Sequence, residues 1–377
     1  MNLSMGRACA AHRQTGLGGG AISMTAFEVR ALQEFACACF KNAGVDHEDA
    51  DWTANVLMTA EARGKSTHGV SRLSDYVKAL LRGKINSSPH REILQTSPVS
   101  TLVQGDNGLG PPAAREGMIS AMKAAFQYGV GVSTVQSGNH VGILACYTEL
   151  AADEGLVGMA FTNAQPAIPP SGGKRAFFGT NPMALAAGMG NHRVSIDMAT
   201  STVARGNIIM AAKRGDSIPE GWAIDAEGHD TTDPNLALLG AVLPMAGAKG
   251  YALALGVDVL SGVLSGAQFG NQVGSIYDRD TEPAGTGMFF MALDPAFFVG
   301  RKVFVERMTQ LARNLTQSPK ASGVERIYLP GQRAREVEVA RRMHGVFINA
   351  QLMDELNGLS ETLGVPLLNR IEGTPSV

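Results

Sequence analysis

Charge, aromatic side chains and cysteine are all scarce in this sequence. Charged residues occupy 18% of its 377 positions, against about 25% in typical globular domains, and aromatic residues only 6%. The 32 basic residues nearly balance the 34 acidic ones, and no block of basic residues occurs. This pattern argues against nucleic acid and anionic membrane surfaces as main partners. Because Lys249 and Asp258 interrupt the weakly apolar region 236–266, we predict no membrane-spanning segment.

Cysteine is too rare for a disulfide framework, since the chain has only Cys9, Cys37, Cys39 and Cys146. No CxxC pair and no Cys/His cluster with zinc spacing occurs, so we predict no structural metal. We expect the four cysteines to be small apolar fillers or simple exposed thiols.

Glycine is abundant, with 45 residues. The first 23 residues are glycine-rich and lack the apolar stretch of a signal peptide. We therefore expect residues 1–23 to be a disordered tail, with Met24 as an alternative start, and the protein to be cytoplasmic. The rest of the chain is long enough for two domains.

Helical and strand-like patterns are mixed without a regular alternation, which predicts an α/β fold with a partly antiparallel sheet. The first helix is expected to begin with a capping box at Thr25 and Glu28. The predicted helices are 25–41, 48–62, 70–82, 111–128, 143–154, 202–213, 250–265, 298–317, 334–343 and a last one from 350. The predicted strands are 99–104, 129–136, 156–162, 183–187, 193–197 and 288–293, and a turn-rich loop covers 267–287.

The segment 66–72, STHGVSR, combines a histidine and an arginine at a helix start. Thr67 can cap the helix and hydrogen-bond the His68 ring, and Arg72 lies one turn further along the same face, with Tyr76 beyond it. An arginine binds a carboxylate bidentately while a histidine exchanges a proton with a neighbouring oxygen, which suits a 2-oxo or 2-hydroxy acid. A capping segment followed by a solvated helix stripe explains the same spacing.

Several loops have the composition of ligand-binding walls. The loop 137–142, SGNHVG, leads into a helix whose first N–H groups can bind an anion. Prolines, glycines and short polar side chains also occur in 168–174, 179–182 and 197–207. Ordinary turns have the same composition, so none of these loops is specific by itself.

The usual dinucleotide fingerprint is missing. No GxGxxG motif lies between a strand and a helix, and no P-loop, nucleophile elbow or HExxH motif is present. A dehydrogenase with this sequence would therefore not have the doubly wound fold.

Taken together and in their order, the motifs resemble those of the type-2 malate/L-lactate dehydrogenases over nearly all of 24–355. This family includes ureidoglycolate, sulfolactate and diketogulonate oxidoreductases and piperideine-2-carboxylate reductase. The motifs are THGVSR, NHVG, PPSGG, FGTNP, IDMATS, IPEGWAIDAEG, LPMAGAKGYALA and the late LPG at 329–331.

The resemblance implies a non-Rossmann nucleotide-binding domain with a mixed, largely antiparallel sheet, plus helical N- and C-terminal parts. The NAD(P)-binding domain would cover 96–299, and 24–95 with 300–377 would form a helical domain. The family works as dimers or larger assemblies, so a homodimer is expected.

The resemblance also implies NAD or NADP as the cofactor, a small carboxylic acid as the substrate, and no metal. His68 would be the catalytic acid/base, oriented by Thr67. The substrate would be bound by Arg72, Tyr76, His140 and Thr180. The cofactor would be bound by His140, Val141, Gly142, Ile143, Leu144, Pro170, Ser171, Gly172, Gly173, Asp197, Met198, Ala199, Arg205, Gly206, Leu329, Pro330, Gly331, Gln332 and Arg333.

Two positions depart from the family pattern. Val141 stands where the family usually has phenylalanine, which predicts a wider pocket beside the nicotinamide. Asn207 stands where relatives often carry lysine, and the piperideine reductases an aspartate. A cyclic imino-acid reductase and a non-catalytic ligand-binding relative are the alternatives, and the choice between NAD and NADP stays open.

Overall fold

The computed structural model describes residues 24–369, in which a seven-stranded mixed sheet occupies the centre. The strands are β1 (Met24–Phe27), β2 (Glu92–Ser97), β3 (Ser100–Gln104), β4 (Val130–Gly138), β5 (Val157–Thr162), β6 (Met183–Ala187), β7 (Val194–Met198), β8 (Ala223–Ile224), β9 (Ala241–Val242), β10 (Thr286–Leu293) and β11 (Val346–Asn349). The central sheet has the order β2-β3-β4-β10-β5-β6-β7.

The helices are α1 (Val29–Asn42), α2 (His47–Ala62), α3 (Leu73–Leu81), α4 (Gly110–Tyr128), α5 (Ala145–Asp153), α6 (Arg205–Arg214), α7 (Pro234–Leu239), α8 (Ala248–Asp258), α9 (Arg301–Thr316), α10 (Gln332–His344) and α11 (Ala350–Leu363). Short 3-10 turns cover Ser66–His68, Val70–Arg72, Gly190–His192, Gly270–Gln272 and Pro295–Phe297. The predicted helix 250–265 instead divides into α8 and a π-helical turn, Val259–Val263.

Strand directions in the central sheet confirm the predicted fold class. The β3–β4 pair is parallel, and every other neighbouring pair of this sheet is antiparallel. Strand β10 lies between β4 and β5, although it follows them by more than a hundred residues. The sheet therefore forms only when distant parts of the chain come together.

Helix α4 covers one face of this sheet and packs closely on β10. A Cβ atom at Gly117 would lie 2.7 Å from the Phe290 ring, so the absence of a side chain allows the close approach. The Ser133 hydroxyl donates to the Gly117 carbonyl at 2.6 Å, which joins the helix to β4. Met118, Tyr147 and Phe290 are buried in the same core.

A second hydrophobic core joins the two ends of the described chain. Strand β1 pairs antiparallel with β11, and Phe27 pairs with Val346. Phe27, Leu32 and Leu356 are buried together with residues of α2 and α3. The N- and C-terminal segments thus share one core.

The predicted capping box at Thr25 and Glu28 is wrong. Residues 24–27 form β1, and α1 begins at Val29 with no side-chain hydrogen bond from Glu28 at the cap. The long-range pairing with β11 buries Phe27 and overrides the local helical signal. Strand β2, the exposed partner of β3, was also not predicted.

The expected disordered tail at 1–23 lies outside the described residues. Between residues 24 and 369, no helix is both long and apolar enough to cross a membrane. In the same part of the chain, no three His, Cys, Asp or Glu side chains are grouped closely enough to hold a metal ion. Cys37, Cys39 and Cys146 are free thiols.

Candidate active site

The connection between α2 and α3 carries the predicted catalytic histidine. It folds as two 3-10 turns joined at Gly69, and α3 begins only at Leu73. Thr67 makes no capping hydrogen bond to the helix. Its hydroxyl instead lies 3.1 Å from Nδ1 of His68, so it can orient the ring. The first three residues of the predicted helix 70–82 form a 3-10 turn, and α3 ends at Leu81.

Helix α6 approaches the same turn from the other side. A Cβ atom at Gly206 would lie 3.0 Å from Cγ2 of Thr67, tighter than most side-chain contacts. Arg205, the preceding residue, points elsewhere and donates to the Leu238 carbonyl at 3.4 Å. Of this predicted pair, only Gly206 is thus in contact with the His68 turn.

His140 lies directly against His68. The two ring centroids are 5.5 Å apart and the planes are inclined by 27°, which is a stacked arrangement. The Tyr76 hydroxyl lies 2.6 Å from Nδ1 of His140 and 3.1 Å from its carbonyl oxygen. Three predicted substrate-site residues, Arg72, Tyr76 and His140, therefore surround the predicted catalytic ring.

Both histidines are neutral at pH 7. Burial lowers the pKa of His68 to about 4, and the positive charges of Arg72 and Lys65 add to this effect against the opposing charge of Asp197. Burial also lowers the pKa of His140 well below its ordinary value, with further contributions from His68 and Arg72. A neutral imidazole can accept a proton, so His68 is poised as a base.

Three neighbours hold the Arg72 guanidinium. Its Nε donates to the Thr67 carbonyl at 2.6 Å and Nη1 donates to Asp75 at 3.1 Å. The guanidinium carbon lies 5.1 Å from the centre of the Tyr277 ring, within cation–π distance. The group is therefore preorganised and retains further N–H groups for a carboxylate.

Asp197, at the end of β7, forms a second charged group beside His68. Its Oδ2 accepts hydrogen bonds from Lys65 at 3.1 Å and from the Ala145 N–H at 3.2 Å. That N–H begins α5, so one of the donors predicted to be free for an anion is bonded to the protein itself. Three of the predicted cofactor-binding residues that precede this N–H have buried side chains: Val141, Ile143 and Leu144.

The turn 329–332 lies along the edge strand β7. The Ser195 N–H donates to the Pro330 carbonyl at 3.0 Å, and the Leu329 N–H donates to the Gln332 side chain at 3.1 Å. Gly331 has φ +82°, and a Cβ there would lie 2.7 Å from Ser195. This turn is thus joined to the strand that ends with Asp197, Met198 and Ala199.

Thr180, the 170–173 turn and Arg333 are the remaining predicted site residues. The Thr180 carbonyl accepts a hydrogen bond from the Thr200 N–H at 2.9 Å, which ties it to the end of β7. Residues 170–173 form an exposed turn closed by a bond from the Gly173 N–H to the Pro170 carbonyl at 2.8 Å. Arg333 is also exposed. Within 24–369, no hydrogen bond joins the 170–173 turn or Arg333 to His68.

Sequence reasoning missed four residues of this neighbourhood. Lys65 and Asp75 were detectable, because each lies within three residues of His68 or Arg72 in the sequence. Glu61, whose carboxylate accepts a hydrogen bond from the Ser66 hydroxyl, and Tyr277 gave no such signal. Tyr277 lies in the loop 267–287 and reaches Arg72 only through the tertiary fold.

Residues 27–357 match the family described as malate/L-lactate dehydrogenase. The L-sulfolactate dehydrogenase of Methanocaldococcus jannaschii is 38% identical over 332 residues, 88% of this chain and 95% of that relative. The ureidoglycolate dehydrogenase (NAD(+)) of Escherichia coli strain K12 is 38% identical over 291 residues, 77% and 83% of the two chains. A (2R)-3-sulfolactate dehydrogenase (NADP(+)) of Chromohalobacter salexigens is 35% identical over 329 residues, 87% and 96%.

Solved structures agree with these sequence relatives. The sulfolactate dehydrogenase from M. jannaschii superposes with a TM-score of 0.86 at 36% identity, covering 93% of this chain and 100% of that chain. The delta1-piperideine-2-carboxylate reductase from Pseudomonas syringae pvar. tomato gives 0.80 at 27% identity, covering 89% and 99%. The resemblance predicted from the motifs is confirmed.

Proposed function

Because the chain belongs to the malate/L-lactate dehydrogenase family, we propose that the His68 site interconverts a small 2-oxo acid and its 2-hydroxy acid. The chain is an NAD(P)-dependent oxidoreductase of this class. The observation that carries the assignment of the site is the neutral His68 ring beside the fixed guanidinium of Arg72. This pair can exchange a proton and hold a carboxylate at adjacent positions.

Each predicted residue has a role in this proposal. His68, oriented by Thr67, exchanges a proton with the oxygen on the 2-carbon, and Arg72 binds the carboxylate so that the 2-carbon is held in one place. His140, held by Tyr76, forms the opposite wall. Thr180, which precedes β6 and is bonded to Thr200 just after β7, completes the substrate site.

Proton transfer and substrate binding are coupled through Arg72. In the oxidation direction, neutral His68 accepts the hydroxyl proton as a hydride leaves the 2-carbon. In the reduction direction, His68 must first take up a proton. The charge of Arg72 lowers the His68 pKa, so a bound carboxylate that neutralises Arg72 raises that pKa again and favours proton uptake.

The residues around β7 fit a nicotinamide dinucleotide. Met198 is 39% exposed next to Asp197 and offers an apolar surface to a flat ring. The turn 329–332 lies beside Ser195, three residues before Met198 on the same strand, so one extended molecule can contact both places. When bound, NAD(P) accepts or supplies the hydride. We assign the cofactor to the segments 140–144, 170–173, 197–199 and 329–333, with Arg205 and Gly206.

The test is oxidation of NADH and NADPH with pyruvate, oxaloacetate, sulfopyruvate and diketo sugar acids. We expect turnover with at least one acid, and we expect His68→Ala to abolish it while the affinity for NAD(P)H, measured by fluorescence, changes little. An active His68→Ala variant would contradict the mechanism. Failure of every acid with both cofactors would favour a non-catalytic ligand-binding relative.

Piperideine-2-carboxylate belongs in the same panel, because one structural relative reduces this cyclic imine by name. Asn207 is the third residue of α6. It follows Gly206, which lies against Thr67. The family resemblance implies an aspartate there in the piperideine reductases, so we expect the cyclic imine to be the poorer substrate. A preference for it over every 2-oxo acid would reverse the assignment.

We further propose the two-domain division expected from the sequence and a homodimer. The common core of β1, α1, β11 and α11 supports a helical domain made from both chain ends. Leu255, Val259 and Val263 are exposed along α8 and the π-helical turn, which supports a subunit interface there. Light scattering should give twice the chain mass of 39.5 kDa. The cytoplasmic location stays a prediction from the sequence.

A further inference from the structure

Glu61 lies in the last turn of α2 and bonds to both sides of the His68 turn. Its Oε1 accepts a hydrogen bond from the Ser66 hydroxyl at 2.7 Å, and its Oε2 accepts one from the Val70 N–H at 3.2 Å. Ser66 and Val70 are the residues two before and two after His68. A single carboxylate therefore spans the turn that carries the proposed acid/base.

The turn is also packed against Glu61. A Cβ atom at Gly69 would lie 2.2 Å from Oε2 of Glu61 and 3.0 Å from its Cα, so a side chain at Gly69 would displace the turn or the carboxylate. Thr67, between Ser66 and His68, bonds to the His68 ring and contacts Gly206. The position of the ring thus depends on the distance between α2 and the turn.

Burial of the Glu61 carboxylate at this position carries a high desolvation cost. Glu61 is only 4% exposed, and the cation nearest to it in the ion pairs of the described residues is Arg341, whose Nη1 lies 3.8 Å from Oε1. The same Nη1 donates to the Glu61 carbonyl at 2.7 Å, which connects α10 to the end of α2. An apolar side chain would fill the space at a lower desolvation cost, so packing alone does not explain a carboxylate.

We propose that Glu61 is a positioning residue that sets the place of His68 through Ser66 and Val70. Glu61 does not touch the substrate. Its positioning role rests on the proposed function of His68 and extends that function. The carboxylate supplies two acceptors at the required separation, which an apolar residue cannot do.

Steady-state kinetics distinguish a positioning role of Glu61 from an effect on protein stability alone. The variants are Glu61→Ala, Glu61→Gln and Asp49→Ala. We expect Glu61→Ala to lower kcat about 100-fold, the effect of misplacing a catalytic group by about 1 Å. KM for the acid should stay within about threefold, because Arg72 keeps its own bonds. Glu61→Gln should recover most of kcat, since an amide still accepts from the Val70 N–H and can donate to the Ser66 hydroxyl.

Asp49→Ala is the matched control. Asp49 lies on the same helix and forms a partly buried ion pair with Arg91, about 18 Å from Glu61 along the helix axis. Its loss should lower the melting temperature but leave kcat unchanged. A similar fall in kcat for Asp49→Ala, or a kcat within threefold of wild type for Glu61→Ala, would overturn the proposal.

A readout without turnover keeps this test apart from that of the proposed function. The Cε1–H resonance of His68, followed by NMR against pH, should show a pKa moved up toward its ordinary value in Glu61→Ala, because a displaced ring is better hydrated. It should be unchanged in Asp49→Ala. If no acid is turned over, the proposed function fails. An unchanged His68 pKa in Glu61→Ala would refute the positioning role.

If Glu61→Ala does not fold, Ser66→Ala provides the test. It removes one of the two bonds and leaves the carboxylate in place. We expect kcat to fall about tenfold, the rate equivalent of one lost hydrogen bond. Unchanged kcat in Ser66→Ala would refute the role of this bond.

Discussion

The Tyr76 hydroxyl lies 2.6 Å from Nδ1 of His140, and this contact holds the ring that stacks on His68. Tyr76 is 1% exposed, and burial raises the pKa of its hydroxyl well above the ordinary value. The hydroxyl therefore keeps its proton at all physiological pH values. Its position links α3 to the loop that carries His140.

Tyr76→Phe tests this link. Removal of the hydroxyl leaves Nδ1 of His140 with only the longer bond from the Gly142 N–H, at 3.3 Å, so we expect a loss of about 1 kcal/mol in the free energy of unfolding. We also expect kcat/KM to fall about tenfold or more, because His140 can move away from His68. Ser133→Ala is the control: it loses a buried hydrogen bond to Gly117, remote from the site, and should change stability alone.

Arg72→Lys should fail to replace arginine. The Nε of Arg72 donates to the Thr67 carbonyl, and a lysine ammonium cannot make that bond and a bidentate carboxylate contact together. We expect KM for the 2-oxo acid to rise about 100-fold in both Arg72→Lys and Arg72→Ala. Steady-state kinetics at fixed NAD(P)H measure this change, and an unchanged KM in Arg72→Ala would remove the carboxylate-binding role.

The pH dependence should differ between the two directions of the reaction. The His68 pKa is lowered to about 4, so the neutral form required for oxidation predominates above that value. Oxidation kcat/KM should therefore be lost only as the pH falls toward 4. Reduction needs the protonated form, so its kcat/KM should rise about tenfold for each unit of decrease between pH 7 and pH 5. A reduction profile that is flat in this range would contradict the role of His68 as the acid.

Packing of α4 on the sheet can be tested with two glycine substitutions. Gly117→Ala places a Cβ 2.7 Å from the buried Phe290 ring, so we expect a loss of about 1–3 kcal/mol in unfolding free energy. Gly358→Ala in α11 meets nothing within 4 Å and should stabilise the protein by up to about 1 kcal/mol through helix propensity. Chemical denaturation compares the two, and a neutral Gly117→Ala would show that the helix can shift away from β10.

Local sequence signals were sufficient to predict a helix where residues typical of helix ends flank it on both sides. Helix α4 begins at Gly110, has prolines in its first turn and ends before Gly129, which adopts φ +82° as helix stops often do. The predicted limits 111–128 therefore nearly match. Residues 24–27 show the opposite case, because pairing with β11 decided their conformation.

The sequence by itself determined the family and the α/β class, since ordered motifs are properties of neighbouring residues, and it predicted His68 and Arg72 as the pair proposed here for the reaction. Only the tertiary structure decided which side chains meet that pair. His140 stacks on His68 from 72 positions away in the chain, and Tyr277 lies over Arg72 from still further. Such contacts depend on how helices and strands pack as a whole, and no local pattern encodes them.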